Sequence, residues 1–183
     1  MNRDHLDEMF ERAARLLDDG QFEQALAALD AIPQPLEESD DRIEWHTMRG
    51  WALAELGRVD EALDLVEPLL DEFPDNGRLH CARGFALLQA DALPEAVESL
   101  EHAFELDPDD ELTITNLAYA CERVRDYRRA VTLYDRAIDL GVGIDWALVR
   151  KAAALADAGD LQDAAKTLKR YLSLEPDDVE QWG

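Results

Sequence analysis

Four alanines stand at equal intervals along this chain: Ala62, Ala96, Ala130 and Ala164 are each 34 residues apart, and Ala25 precedes them by 37. Each closes a similar phrase: GQFEQA, GRVDEA, DALPEA, RDYRRA and GDLQDA. Twelve residues upstream of each alanine stands another small residue, Ala13, Gly50, Gly84, Ala118 or Ala152. Twelve residues downstream, Pro74, Pro108 and Pro176 close three of the units. A fixed period of this length marks stacked supersecondary units, none of which can bury its apolar face alone.

Each unit reads as two helices. Upstream of the turn, segments such as WHTMRGWALAEL carry apolar residues at helical rather than alternating spacing. The Gly or Asp at the turn suits a helix end with positive φ. Downstream, EALDLVEPLL and EAVESLEHAFEL are again helical. FPDN, DPDD and EPDD then open the next unit. Proline discourages continuation of the helix, and acidic residues favour the positive end of the next one. Antiparallel helices approach closely only where side chains are small, so Gly50 and Ala62 are expected to meet.

The period, the small residues, the G-x-x-x-E-A phrase and the closing proline resemble the tetratricopeptide repeat family. The resemblance implies an all-α solenoid of five helix-turn-helix repeats forming a right-handed superhelix. It covers residues 5–38, 43–76, 77–110, 111–144 and 145–178 of one domain, 1–183, with 179–183 beginning a sixth repeat. Several features depart from the family pattern. His46 and His80 replace a large residue, and Arg12, Arg49 and Arg83 stand where Leu is usual. Pro68 should kink or shorten the second helix of repeat two. IPQPLEESDD adds three residues, which should loosen the joint between repeats one and two. Gly141 and Gly143 replace the closing proline of repeat four, which should change the angle to repeat five.

In the family, the first helix of each repeat lines the concave side, and the residue after the small one faces the groove. Here those residues are Ala14, Trp51, Phe85, Tyr119 and Ala153. Phe10 and Trp146 fall on the same face, one and two turns upstream of that position in their repeats. Arg78, Asn116, Glu122 and Arg123 are the polar candidates for fixing a partner's register. The same spacing also suits rings packed as core between adjacent helices, and sequence alone leaves both readings open. The family's carboxylate clamp for heat-shock chaperones uses Lys, Asn and Arg. Its matching positions hold Phe10, Ala14, Thr47, Trp51, Cys81 and Phe85, so that clamp is absent.

Charge narrows the choice of partner. The chain carries 42 Asp and Glu against 18 Lys and Arg, a net −24, while 47% of it is apolar and supports a real core. Such a field opposes nucleic acids and anionic membranes and attracts basic proteins. No catalytic constellation emerges. His80 and Cys81 are neighbours that point about 100° apart on a helix, and His5, His46 and His102 have no metal-ligand spacing. DPDDELTITNLAYACE lacks the glycine of a calcium loop. The expectation is therefore no enzyme activity, no metal and no cofactor. Cys81 and Cys121 make no disulfide framework, and the N-terminus has no signal-peptide core, which points to the cytoplasm.

The expected function is a scaffold that binds a partner's peptide or helix, bearing apolar and basic residues, in the groove. A secretion or assembly chaperone, or the regulatory or substrate-recognition module of a larger enzyme complex, are the alternatives. The repeat register places Trp182 in a further first helix, yet the sequence stops at Gly183. We therefore expect that the chain was cut from a longer protein, or that its C-terminal flank is covered by a partner or a second copy. Trp182 folding back as a minimal lid is the alternative.

Overall fold

The five alanine phrases close one helix and open the next in the same way. The computed structural model describes residues 3–174. Its helices pair as α1 (Arg3–Asp18) with α2 (Phe22–Asp30), α3 (Ser39–Glu55) with α4 (Val59–Glu72), and α5 (Gly77–Gln89) with α6 (Leu93–Leu106). The series continues with α7 (Glu111–Arg123) and α8 (Tyr127–Leu140), then α9 (Ile144–Asp157) and α10 (Leu161–Tyr171). No strand occurs among the described residues. Two compact units result: Met1–Leu106, which holds α1 to α6, and Asp107–Gly183, which holds α7 to α10.

The turns explain the regularity. The first residue of each phrase is left-handed: φ is 68° at Gly20, 73° at Gly57, 60° at Asp91, 64° at Arg125 and 91° at Gly159. The N–H of the next residue donates to the carbonyl five residues back. These bonds are Gln21 to Leu16 (2.8 Å), Arg58 to Leu53 (2.8 Å), Ala92 to Leu87 (3.0 Å), Asp126 to Cys121 (2.8 Å) and Asp160 to Leu155 (2.8 Å). This is a Schellman closure, which satisfies carbonyls that the helix end leaves bare. The repeated alanine then donates to the carbonyl of the residue just closed, as Ala62 does to Arg58 at 3.1 Å.

Sequence reading assigned the turn to Gly or Asp; in repeat four an exposed Arg125 carries it. Left-handed backbone costs a side-chain-bearing residue about 1–2 kcal/mol, and glycine's greater freedom when unfolded returns part of that. Arg125→Gly should therefore stabilise the protein by about 0.5–1 kcal/mol. Urea melts would show this as a raised midpoint, and an unchanged or lower midpoint would refute it.

Between repeats, the acidic openings act as caps. The Asn76 side chain accepts from the Leu79 N–H at 3.2 Å, and Asp110 accepts from the Thr113 N–H at 2.8 Å. Small residues also meet as expected. A Cβ on Gly50 would lie 3.8 Å from the Ala62 carbonyl oxygen and 3.2 Å from Val66 Cγ2.

Two expectations need correction. Of the kink or shortening expected at Pro68, the shortening does not occur: α4 runs through it for 14 residues, the same length as α6 and α8. The longer connection between repeats one and two is anchored rather than loose. Its Ile32 and Leu36 are buried with Leu6, Phe10, Ala13 and Leu29. The Trp45 indole N–H donates to the Leu29 carbonyl at 2.9 Å, and Arg3 reaches buried Asp41 at 2.8 Å. The expectation for Trp182 lies outside the described residues.

Candidate partner-binding site

In the first unit the aromatic positions turn inward. Phe10, 4% exposed, packs in the core of repeat one and offers a partner almost no surface. Phe85 is buried as well, and half-buried Trp51 lies flat on it with centroids 3.8 Å apart and planes 2° from parallel. The 34-residue spacing thus brings two rings of successive repeats face to face. Arg78 is exposed on α5. Its charge opposes the effect of burial on Glu44 of α3, whose carboxyl is held above its ordinary range.

The second unit is different. α7 and α9 bring Thr115, Asn116, Tyr119 and Trp146, with Gly143, around a hollow of about 380 Å³. Trp146 is 39% exposed, and Leu112 and Val149 on the same two helices are exposed too. Gly143 is left-handed (φ 45°) where α9 begins, and this glycine borders the hollow. Asn116, Tyr119 and Trp146, all candidates from sequence, line the same space.

Behind the hollow runs a chain of contacts. Trp146 sets its ring against Tyr134 of α8, edge to face, with centroids 5.5 Å apart. The Tyr134 hydroxyl donates to one oxygen of Glu122 at 2.8 Å, and Arg150 donates to the other at 2.8 Å. The Arg150 guanidinium stands 5.1 Å from the Tyr119 ring centre, and that of Arg123 5.6 Å. Arg123 also donates to the Tyr119 hydroxyl at 3.2 Å. Both guanidiniums lie within cation–π range, which holds the Tyr119 ring in place. Glu122 therefore serves the support of the site rather than its open surface. Burial pushes the Tyr134 phenol well above its ordinary range and keeps it neutral as a donor.

Sequence reading missed both Tyr134 and Arg150. Tyr134 lies in TLYDRA among buried Ala130, Ala137 and Ile138, so helical periodicity could have marked it as core. It also missed that His80 and His102 meet edge to face, with centroids 4.2 Å apart. Burial lowers the His80 pKa, and its Nε2 bonds the Pro74 carbonyl at 2.7 Å. Among the described residues no group of three or more His, Cys, Asp or Glu is placed to hold a metal ion. Cys81 and Cys121 are buried free thiols. No described helix is long and apolar enough to cross a membrane.

A sequence model of the tetratricopeptide repeat matches residues 47–111 and 115–179. No curated protein matches the chain in sequence. Among solved structures, MamA 41-end from Desulfovibrio magneticus RS-1 is 20% identical, covering 96% of this chain and 95% of that one, with a TM-score of 0.67. MamA AMB-1 is 20% identical over 89% of this chain and 95% of its own, with a TM-score of 0.66. MamA MSR-1 is 18% identical over 91% and 94%, with a TM-score of 0.64. At these identities the likeness is one of fold.

Proposed function

The chain belongs to the tetratricopeptide repeat family, and from that premise we propose that it is a protein-binding scaffold whose partner seats an apolar side chain between Tyr119 and Trp146. The observation that carries this reading is the hollow itself, with a partly exposed indole on one wall and a phenol held by two arginines on the other. Leu112 and Val149 extend its apolar rim, and Asn116 supplies an amide for a backbone or side-chain hydrogen bond. The net charge of −24 favours a partner that also carries basic residues. Trp51 on Phe85 is the corresponding surface of the first unit, offering one ring face rather than a hollow.

The test compares wild-type and Tyr119→Ala/Trp146→Ala baits in pull-downs from the native host, followed by titration of each captured protein. The expected result is at least about a tenfold loss of affinity, measured at a temperature where circular dichroism shows the variant still folded. A large drop in melting temperature with unchanged affinity would show that both rings are core and would end the proposal.

A separate observation supports self-association through the α10 flank. Leu161, Leu168 and Leu172 lie on one side of that helix and are 67%, 43% and 78% exposed. Sedimentation of wild type and Leu168→Glu decides this: a monomer at all concentrations in both would reject it.

A further inference from the structure

Charge is distributed very unevenly along the chain. Residues 1–106 hold 26 Asp and Glu against 8 Arg, a net −18, whereas residues 107–183 hold 16 against 10 Arg and Lys, a net −6. Helix by helix the contrast sharpens. α4 has six acids and no base, and α6 has four acids and no Arg or Lys. By contrast, α8, α9 and α10 together carry eight Arg and Lys against five Asp. With Asp160 and the four acids after Leu174, residues 127–183 hold ten Asp and Glu against the same eight Arg and Lys, so the positive excess is confined to the helices themselves.

Three of these eight cations line a second hollow, of about 450 Å³, framed by α8, α9 and α10 and distinct from the one beside Trp146. Lys151, Lys166 and Arg170 stand around it with Asp135 and Asp163; half-buried Val131 of α8 offers an aliphatic surface, while Leu148 and Leu155 are buried. Lys151 is neutralised by Asp135 at 2.6 Å. Lys166 and Arg170, four residues apart on one face of α10, are exposed and make no ion pair among the described residues. Thr167, between them, is buried.

We propose that this surface docks an acidic amphipathic segment of a partner protein, with carboxylates on Lys166 and Arg170 and an aliphatic side chain against Val131. Charge complementarity selects that occupant. A long polyanion such as a nucleic acid would meet the net −24 of the whole chain, whereas a short acidic segment meets chiefly the charges within a screening length of about 10 Å at 0.1 M salt. A helical partner would present its acids at intervals of three or four residues, which match the spacing of Lys166 and Arg170.

The probe is a fluorescein-labelled peptide of about 15 residues, built of Glu, Asp and Leu at helical spacing. Its controls are the same peptide with Gln and Asn for the acids, and a single-stranded DNA oligonucleotide. Anisotropy at about 0.1 M salt, where the screening length is about 10 Å, should show the acidic peptide binding at least about tenfold more tightly than either control. Lys166→Glu/Arg170→Glu should remove that preference while leaving the melting temperature unchanged, because both side chains are exposed. Tyr119→Ala/Trp146→Ala should leave it intact, so that failure here is distinguishable from failure at the other hollow. Equal binding of the acidic and amide peptides, tighter binding of DNA, or indifference to the charge reversal would each overturn the proposal. Peptide binding that requires removal of residues 175–183 would assign the surface to the chain's own acidic segment and overturn it. Self-association lost in the charge-reversal variant would assign it to a second copy, with the same consequence.

Discussion

Tyr134→Ala should destabilise the protein by about 3–5 kcal/mol, the usual cost of deleting a fully buried aromatic ring. Tyr134 has no exposed surface and fills the space between α8 and the Trp146 ring. The truncation leaves a cavity, removes the edge-to-face contact with Trp146 and deprives Glu122 of one of its two donors. Tyr134→Phe separates these contributions. It keeps the ring and removes only the hydroxyl, so about 1–2 kcal/mol should be lost. Glu122 retains Arg150 in that variant, which is why the loss stays small. Urea denaturation followed by circular dichroism gives both values. A cost below about 2 kcal/mol for Tyr134→Ala would mean that the neighbouring helices close over the gap.

Gly84→Ala should cost about 1–3 kcal/mol even though alanine is the better helix former. A Cβ at Gly84 would lie 2.5 Å from Leu100 Cγ, 2.9 Å from its Cδ2 and 3.3 Å from the Ala96 carbonyl oxygen. The nearest atom is the branch point of a fully buried side chain, which cannot swing aside without disturbing α6. At the equivalent position of repeat two the closest approach is 3.2 Å, to Val66 Cγ2. Gly50→Ala should therefore fall within about 1 kcal/mol of wild type, because helix propensity offsets the crowding. Equal effects at the two glycines would refute the steric argument. A double-mutant cycle pairing Gly84→Ala with Leu100→Ala should show a coupling of the same order, since the second change removes the obstructing atoms.

What the sequence disclosed, and what it did not, divides along a physical line. The period, the small residues and the capping motifs are local or strictly repeated, so they can be read directly from residue types. Asn76 and Asp110 cap where the acidic openings suggested. Positional equivalence says which face a side chain starts from but not what covers it. Trp51, Phe85 and Tyr119 occupy one register, yet Phe85 is roofed by Trp51 while Tyr119 borders open space. The same limit applies to Phe10, which the anchored connection after α2 helps to bury. Tyr134 and Arg150 escaped notice because their importance lies in partners on other helices, 12 and 28 residues from Glu122. Arg125 was missed for the opposite reason: backbone geometry imposed by the repeat overrode the preference of the residue occupying it.

The turn closures also govern how a chain like this one can change in length. Each is made by backbone atoms within six residues, so duplication or exchange of a stretch running from one left-handed residue to the next would rebuild the same bonds at both seams. An insertion of any other size inside a turn would break the N–H to carbonyl link. The three extra residues of this chain sit instead between α2 and α3, outside every closure, where Ile32 and Leu36 give them a foothold in existing core. Natural or designed variants should therefore differ by whole periods within the array and by arbitrary lengths only at such joints.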